Sequence, residues 1–293
     1  MIPAPRQVPV GAGRTLAVRE AGAGLPVVLL HGFPLDHSMW RGQWGLVAPG
    51  GPLEGRARLV VPDLAGFGGS PGPARTTIAA MADDVAALLD GLGIGGPAVV
   101  CGLSMGGYVT QHLAARHRRR LAGLVLVDTK LEADGDEARR ARYDLADRVS
   151  RVGSRIAAEA MVPRLVARGP DAALDGAPRG RADVEDLLRA TIEATGTDTI
   201  RTALHALAER PDMTAAAAAF DLPALLVVGA EDTITPPECL ERARDTIPGA
   251  VLRIVPRCGH MTPLEDPPAF NAELASFVES LFSSPRPGRP PIP

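Results

Sequence analysis

Six short runs of almost unbroken apolar residues, at 26–30, 58–62, 98–103, 121–127, 222–229 and 251–255, punctuate the chain. Runs of this length without polar alternation are how parallel strands covered on both faces read. Positions 8–21 alternate instead, which predicts a hairpin around Gly11-Ala12-Gly13 with 15–19 as its second arm. Between the runs the period changes. Ile78, Met81, Val85, Leu88 and Leu89 mark one face of a helix that starts at Thr76 and stops at Gly93. Further helices are expected over 105–117, 236–246 and 268–281, with a shorter one over 36–47. Strands and helices in alternation predict a doubly wound, mainly parallel sheet, and ligands of such sheets sit beyond the carboxyl ends of the strands.

The alternation breaks at Asp128. From Leu131 to Pro211 the period is helical, with candidate helices over 132–152, 154–167, 182–194 and 198–209 and breaks at Gly169-Pro170 and 176–180. This pattern predicts a helical cap over 131–212, inserted between two strands of one sheet; 1–130 and 213–282 then form the core. The tail over 283–293, dominated by Pro, Arg and Gly, cannot bury apolar area and is expected to be disordered.

Composition narrows the function more by exclusion than by suggestion. A chain of 293 residues with net charge −3 and both signs dispersed offers no nucleic-acid or membrane surface. Lys130 is the sole lysine, and the basic run at 116–120 falls at a helix end, where cations are favoured. Cys101, Cys239 and Cys258 lack the spacing of a disulfide framework or a thiolate metal site, so neither metal nor cofactor is expected. The amino terminus lacks a secretory pattern and no apolar stretch is long enough to span a bilayer, which makes a cytoplasmic protein the expectation. The oligomeric state is left open, a homodimer included.

The chemistry centres on Gly102-Leu103-Ser104-Met105-Gly106, an apolar run that turns into a helix. Flanking glycines let such a turn close tightly, so that Ser104 stands at the carboxyl edge of the sheet. A serine hydroxyl is a poor nucleophile near neutral pH. It needs a base within reach and a group that orients the base. Of the six histidines, His260 comes after the last strand on a loop at the same edge. His112 and His117 lie on the helix after Ser104, His205 lies in the insertion, and His31 precedes a glycine turn where a buried structural role is expected. His37 falls in the segment after that turn. The orienting carboxylate is Asp232 or Asp128; Asp232 is favoured because its loop neighbours the histidine loop, whereas Asp128 leads into the insertion and could cap a helix. Backbone amides of Phe33, in His31-Gly32-Phe33-Pro34, and of Met105 would receive the oxyanion. Trp40 and Met161, with Phe33 and Met105, are candidate pocket residues.

These pieces, with Asp63-Leu64-Ala65-Gly66-Phe67-Gly68-Gly69-Ser70 and the order serine, acid, histidine, resemble the α/β-hydrolase superfamily over 8–282. The resemblance implies an α/β-hydrolase fold with a mainly parallel eight-stranded sheet. Within the superfamily the chain is similar to small bacterial carboxylesterases and 3-oxoadipate enol-lactonase-like hydrolases, through 31–40 and Ala208-Glu209-Arg210-Pro211-Asp212. Serine at position 104 sets it apart from haloalkane dehalogenases and epoxide hydrolases, which carry aspartate there. The expectation is a serine hydrolase that cleaves a small carboxylic ester or lactone through an acyl-enzyme. Cofactor-free perhydrolase (haloperoxidase-type) activity, carbon–carbon hydrolysis or a lyase on the same triad, and a non-catalytic ligand-binding member are the alternatives.

Overall fold

The computed structural model describes residues 2–167 and 181–283. Its centre is one eight-stranded sheet in the order β1-β2-β4-β3-β5-β6-β7-β8. The strands are β1 (Arg6–Pro9), β2 (Thr15–Gly22), β3 (Leu25–Leu30), β4 (Ala57–Pro62), β5 (Ala98–Leu103), β6 (Leu121–Val127), β7 (Ala224–Gly229) and β8 (Val251–Val255). β2 pairs antiparallel with β1 and with β4, and every other pairing is parallel. The expected hairpin is therefore β1 and β2, and the continuous apolar runs are the parallel strands.

Burial explains why those runs lack alternation. Every residue of β5, β6 and β7 is buried, because helices cover both faces. Each Val or Leu so enclosed stabilises the fold by about 1.5–3 kcal/mol relative to leaving it in water. β8 lies at the sheet edge and leaves Val251 and Ile254 exposed. Register then sets where the chemistry can sit. Leu30 pairs with Gly102, Leu103 with Val127, Val127 with Val227, and Gly229 with Val255. The strands end in step, so the segments after Leu30, Leu103, Val127, Gly229 and Val255 emerge along one edge.

The helices are α1 (Ile78–Gly91), α2 (Met105–Arg116), α3 (Asp136–Val152), α4 (Arg155–Leu165), α5 (Arg181–Ala194), α6 (Thr197–Ala208), α7 (Thr214–Ala217), α8 (Pro237–Thr246), α9 (Thr262–Glu265) and α10 (Pro267–Ser283). Between β6 and β7 the described residues form α3–α6 and the short α7, with no strand among them. None of the described helices is long and apolar enough to cross a membrane.

Three local expectations need correction. The helix over 36–47 is two 3₁₀ turns, His37–Trp40 and Trp44–Leu46, because Asp36 captures the Ser38 amide at 2.8 Å and Gly42 and Gly45 interrupt any continuous helix beyond Trp40. α1 starts at Ile78, capped by the Thr77 hydroxyl on the Ala80 amide at 3.1 Å. α3 begins at Asp136 rather than at 132, because Asp134 is drawn into ion pairs with Arg142 and Arg210. The four-residue helices α7 and α9 are too short to show a period in sequence. The breaks at Gly169-Pro170 and 176–180, and the tail from 284 onward, lie outside the described residues.

Candidate active site

Ser104 sits between β5 and α2 with φ 52° and ψ −109°, a conformation a non-glycine residue adopts only where its surroundings enforce it. The enforcement is visible at its two glycines. A Cβ on Gly102 would lie 2.0 Å from the Gly106 carbonyl oxygen, and a Cβ on Gly106 would lie 2.3 Å from the Leu30 carbonyl oxygen. The Ser104 amide donates to Val127 at 2.9 Å, and the Thr129 hydroxyl donates to its carbonyl at 3.0 Å. The residue is thus pinned from both sides, with its side chain at the edge of the sheet.

Asp232 and His260 meet as the sequence suggests. Nδ1 of His260 lies 2.8 Å from Oδ2 of Asp232, and both side chains are buried. A carboxylate only accepts, so Nδ1 carries the proton and Nε2 keeps the lone pair. The other Asp232 oxygen accepts from the amides of Ile234 and Thr235 at 2.8 and 3.0 Å, a turn closed by its own side chain. The Thr235 hydroxyl adds a bond to Oδ2 at 2.8 Å and lies 3.3 Å from Nδ1. Burial opposes the charge on Asp232, yet the imidazole and the loop amides hold its carboxyl below the usual range. Burial likewise opposes charge on His260, but Asp232, Asp128 and Glu265 together raise its pKa above the ordinary imidazole value.

Asp128, the rival acid, does not reach the imidazole by any hydrogen bond among the described residues. Its Oδ1 accepts from the Gly229 amide at 2.9 Å and the Thr262 hydroxyl at 3.1 Å, and its Oδ2 from the Thr262 amide at 3.1 Å. It caps a helix, as one expectation held, but the helix is α9 and not the insertion. Full burial and the nearby Asp232 carboxylate push its own carboxyl up to about 8.

The loop after β3 lies against the serine. A Cβ on Gly32 would stand 3.6 Å from Cβ of Ser104. His31 has the structural place expected of it: Nε2 accepts from the Leu64 amide at 3.0 Å while Nδ1 donates to the Gly32 carbonyl at 2.9 Å. Fully buried, its pKa is lowered chiefly by desolvation, which suits a neutral ring with one donor and one acceptor. Phe33 is next in this braced loop, and Met105 follows Ser104 as the first residue of α2.

Other expected residues fall elsewhere. Trp40 is fully enclosed and packs on Phe270 of α10, with ring centroids 5.9 Å apart, so the core claims it. Met161 is a half-buried residue of α4. His117 ends α2 and pairs with Asp83 at 2.7 Å, and His205 stacks edge-on against Tyr143 in the insertion at 5.1 Å. Asp36, His37 and Asp63 form the one His/Cys/Asp/Glu group among the described residues close enough to consider for a metal. Its acceptors are already engaged. Asp63 receives the His37 amide, the His37 ring, the Gly69 amide and the Arg19 guanidinium at 2.8, 2.9, 2.8 and 3.2 Å. A cation there would have to displace Arg19. Despite burial, the His37 bond and its neighbours hold the Asp63 carboxyl down to about 2, and the cluster latches the glycine-rich loop to the loop after β3.

Two contributors escaped sequence reasoning, Thr235 and Glu265. The spacing Asp232-x-x-Thr235 is an Asx-turn signal that could have shown the first. Glu265 accepts from the nearby amides of Gly259 and Met261 and from that of Ala167, 98 residues earlier, and no short motif encodes the last of these.

A family model described as alpha/beta hydrolase fold matches residues 26–267. A pimeloyl-(acyl-carrier protein) methyl ester esterase from Chromobacterium violaceum is 33% identical over 269 residues, covering 90% of this chain and 98% of that protein. Among solved structures, a thermophilic esterase from Thermogutta terrifontis superposes with a TM-score of 0.83 at 38% identity, over 94% of this chain and 98% of that one. An enol-lactonase from Burkholderia xenovorans LB400 superposes with a TM-score of 0.80 at 25% identity, over 93% and 99%.

Proposed function

The chain belongs to the α/β-hydrolase family, and from that premise we propose that it is a serine hydrolase of small carboxylic esters or lactones, working through an acyl-enzyme. The observation that carries the proposal is the buried Asp232–His260 pair at 2.8 Å, on the sheet edge where the strained Ser104 turn emerges. With Nδ1 protonated against Asp232, Nε2 is the base that takes the hydroxyl proton as Ser104 Oγ attacks the carbonyl carbon. The oxyanion that forms is received by the amides of Phe33 and Met105, both fixed before substrate arrives. His260 then returns the proton to the leaving alkoxide, and the same base activates water to release the acid. The relatives named as a methyl ester esterase and an enol-lactonase support an ester bond as the target. α3–α6 would cap this edge, with Met161 on α4 as a pocket residue.

The test is Ser104→Ala assayed on a small p-nitrophenyl ester. It is expected to lower kcat by on the order of 10^6 with thermal stability retained, and to abolish labelling by a fluorophosphonate. Turnover that survives the substitution would remove the serine from the mechanism.

A further inference from the structure

The loop that carries His260 is fastened to the helical insertion as well as to the sheet. The His260 amide donates to the carbonyl of Leu165, the last residue of α4, at 3.0 Å. Glu265, the last residue of α9, makes the second fastening. Its Oε1 accepts from the amides of Gly259 and Met261 at 2.9 and 3.1 Å, the two residues flanking His260. Its Oε2 accepts from the amide of Ala167, just beyond α4, at 2.7 Å. One side chain therefore holds both shoulders of the histidine and the end of an insertion helix, and these bonds to a carboxylate are of the stronger, charge-assisted kind.

Only glutamate satisfies this arrangement. Glutamine would turn an N–H group toward a backbone N–H, and aspartate is one methylene too short to span the loop and Ala167 together. We propose that Glu265 is a positioning residue that couples the helical insertion to the catalytic histidine, keeping the imidazole in place only while α4 is seated on the core. The coupling rests on the serine-hydrolase assignment of His260. It makes the insertion part of the catalytic apparatus as well as its cover: displacing α4 pulls directly on the amide of the base and on the carboxylate that braces it.

Three carboxylates face the imidazole: Asp232 from the loop after β7, Asp128 from the end of β6 and Glu265 from α9. Removing the charge of Glu265 leaves Asp232 as the carboxylate that stays ionised beside the imidazole, so the base should become easier to deprotonate and the acidic limb of kcat/KM should move to lower pH. A residue that merely stabilises the fold would not move that limb.

The experiment compares pH profiles for p-nitrophenyl ester hydrolysis by the wild type, Glu265→Gln and Ala167→Pro. Glu265→Gln is expected to lower kcat about tenfold or more through misplacement of the base, with KM changed by less than about twofold and the acidic limb displaced downward. Ala167→Pro replaces the insertion's donor with a ring carbon that displaces Oε2, and it keeps the charge. Val166 is already extended, with φ −112° and ψ 151°, as a residue before proline prefers. That variant should lose about threefold in kcat by the same misplacement argument, with the limb unmoved. A folded Glu265→Gln with wild-type kcat, or with the limb in its wild-type place, overturns the proposal. If Glu265→Gln does not fold, Ala167→Pro decides, and a wild-type kcat there overturns it. Hydrolysis that survives Ser104→Ala would sink the serine assignment instead, so the two failures are distinguishable.

Discussion

Asp128 and Asp232 come after adjacent strands of one sheet, both are buried, and both act electrostatically on His260, yet they do different work. Asp232 closes a turn with one oxygen and so keeps the other for the imidazole and the Thr235 hydroxyl. Asp128 spends both oxygens on Gly229 and Thr262, which joins the end of β6 to β7 and α9. The difference extends to charge. A carboxyl held below its usual range stays ionised and can support an imidazolium, whereas one pushed up to about 8 carries its proton at pH 7. Position at a strand end does not decide which carboxylate meets the imidazole. The local turn does, because it decides which oxygens remain unspent.

The largest effect that would break this comparison is on Asp232. Asp232→Asn should reduce kcat by on the order of 10^3–10^4, because an amide can present its N–H to Nδ1 and impose the wrong tautomer. A loss of only about tenfold would show that the orienting acid lies elsewhere. Asp128→Asn should cost less in rate, about tenfold or below, and more in the fold. Weakening one of its buried bonds is worth about 1–3 kcal/mol of stability, read from urea unfolding.

The pH dependence of that stability sharpens the contrast. The folded pKa of Asp128, about 8, lies above the ordinary carboxyl value, so the native state holds a proton that the unfolded chain releases. Its contribution is therefore full below about pH 4 and is lost as pH rises through about 8. The difference in unfolding free energy between wild type and Asp128→Asn should shrink across that window. Asp232, depressed in the folded state, contributes in the opposite sense: its share is present above the ordinary carboxyl range and fades as pH falls below it. A difference that grows between pH 4 and 8 would assign the proton to the wrong carboxyl.

The two acids also mark how far the sequence can be read. The serine turn, the strand runs and the order of Ser104, Asp232 and His260 are legible because each is a local pattern: apolar continuity, glycines at a sharp turn, a carboxylate just past a strand. The choice of Asp232 is legible for the same reason, since the bonds that free its second oxygen come from residues two and three positions on. The work of Asp128 is not, because its partners are Gly229 and Thr262, far along the chain. Glu265 is hidden in the same way, its partner Ala167 lying on another element. Trp40 misleads because an aromatic just after the loop that follows β3 looks alike in sequence whether it lines a pocket or fills the core.

The finest division between the two acids is where a threonine hydroxyl lands: on Asp128 that of Thr262 meets no imidazole bond, whereas Asp232 has the hydroxyl of Thr235. It donates to the oxygen that also receives the imidazole, so it draws electron density away from that bond. Thr235→Val keeps the β-branched shape and the amide bond to the other oxygen but removes this donor. Oδ2 then becomes more basic, the imidazolium is better supported, and the pKa of His260 rises further. The acidic limb of kcat/KM should therefore move to higher pH, opposite to the shift expected for Glu265→Gln, while kcat changes by less than about tenfold. Losing a bond to a charged group costs about 1.5–3 kcal/mol of stability, so unfolding must be measured beside the rates. A limb that moved downward would mean that the hydroxyl acts chiefly on Nδ1, 3.3 Å away, and that Asp232 owes less of its role to its turn.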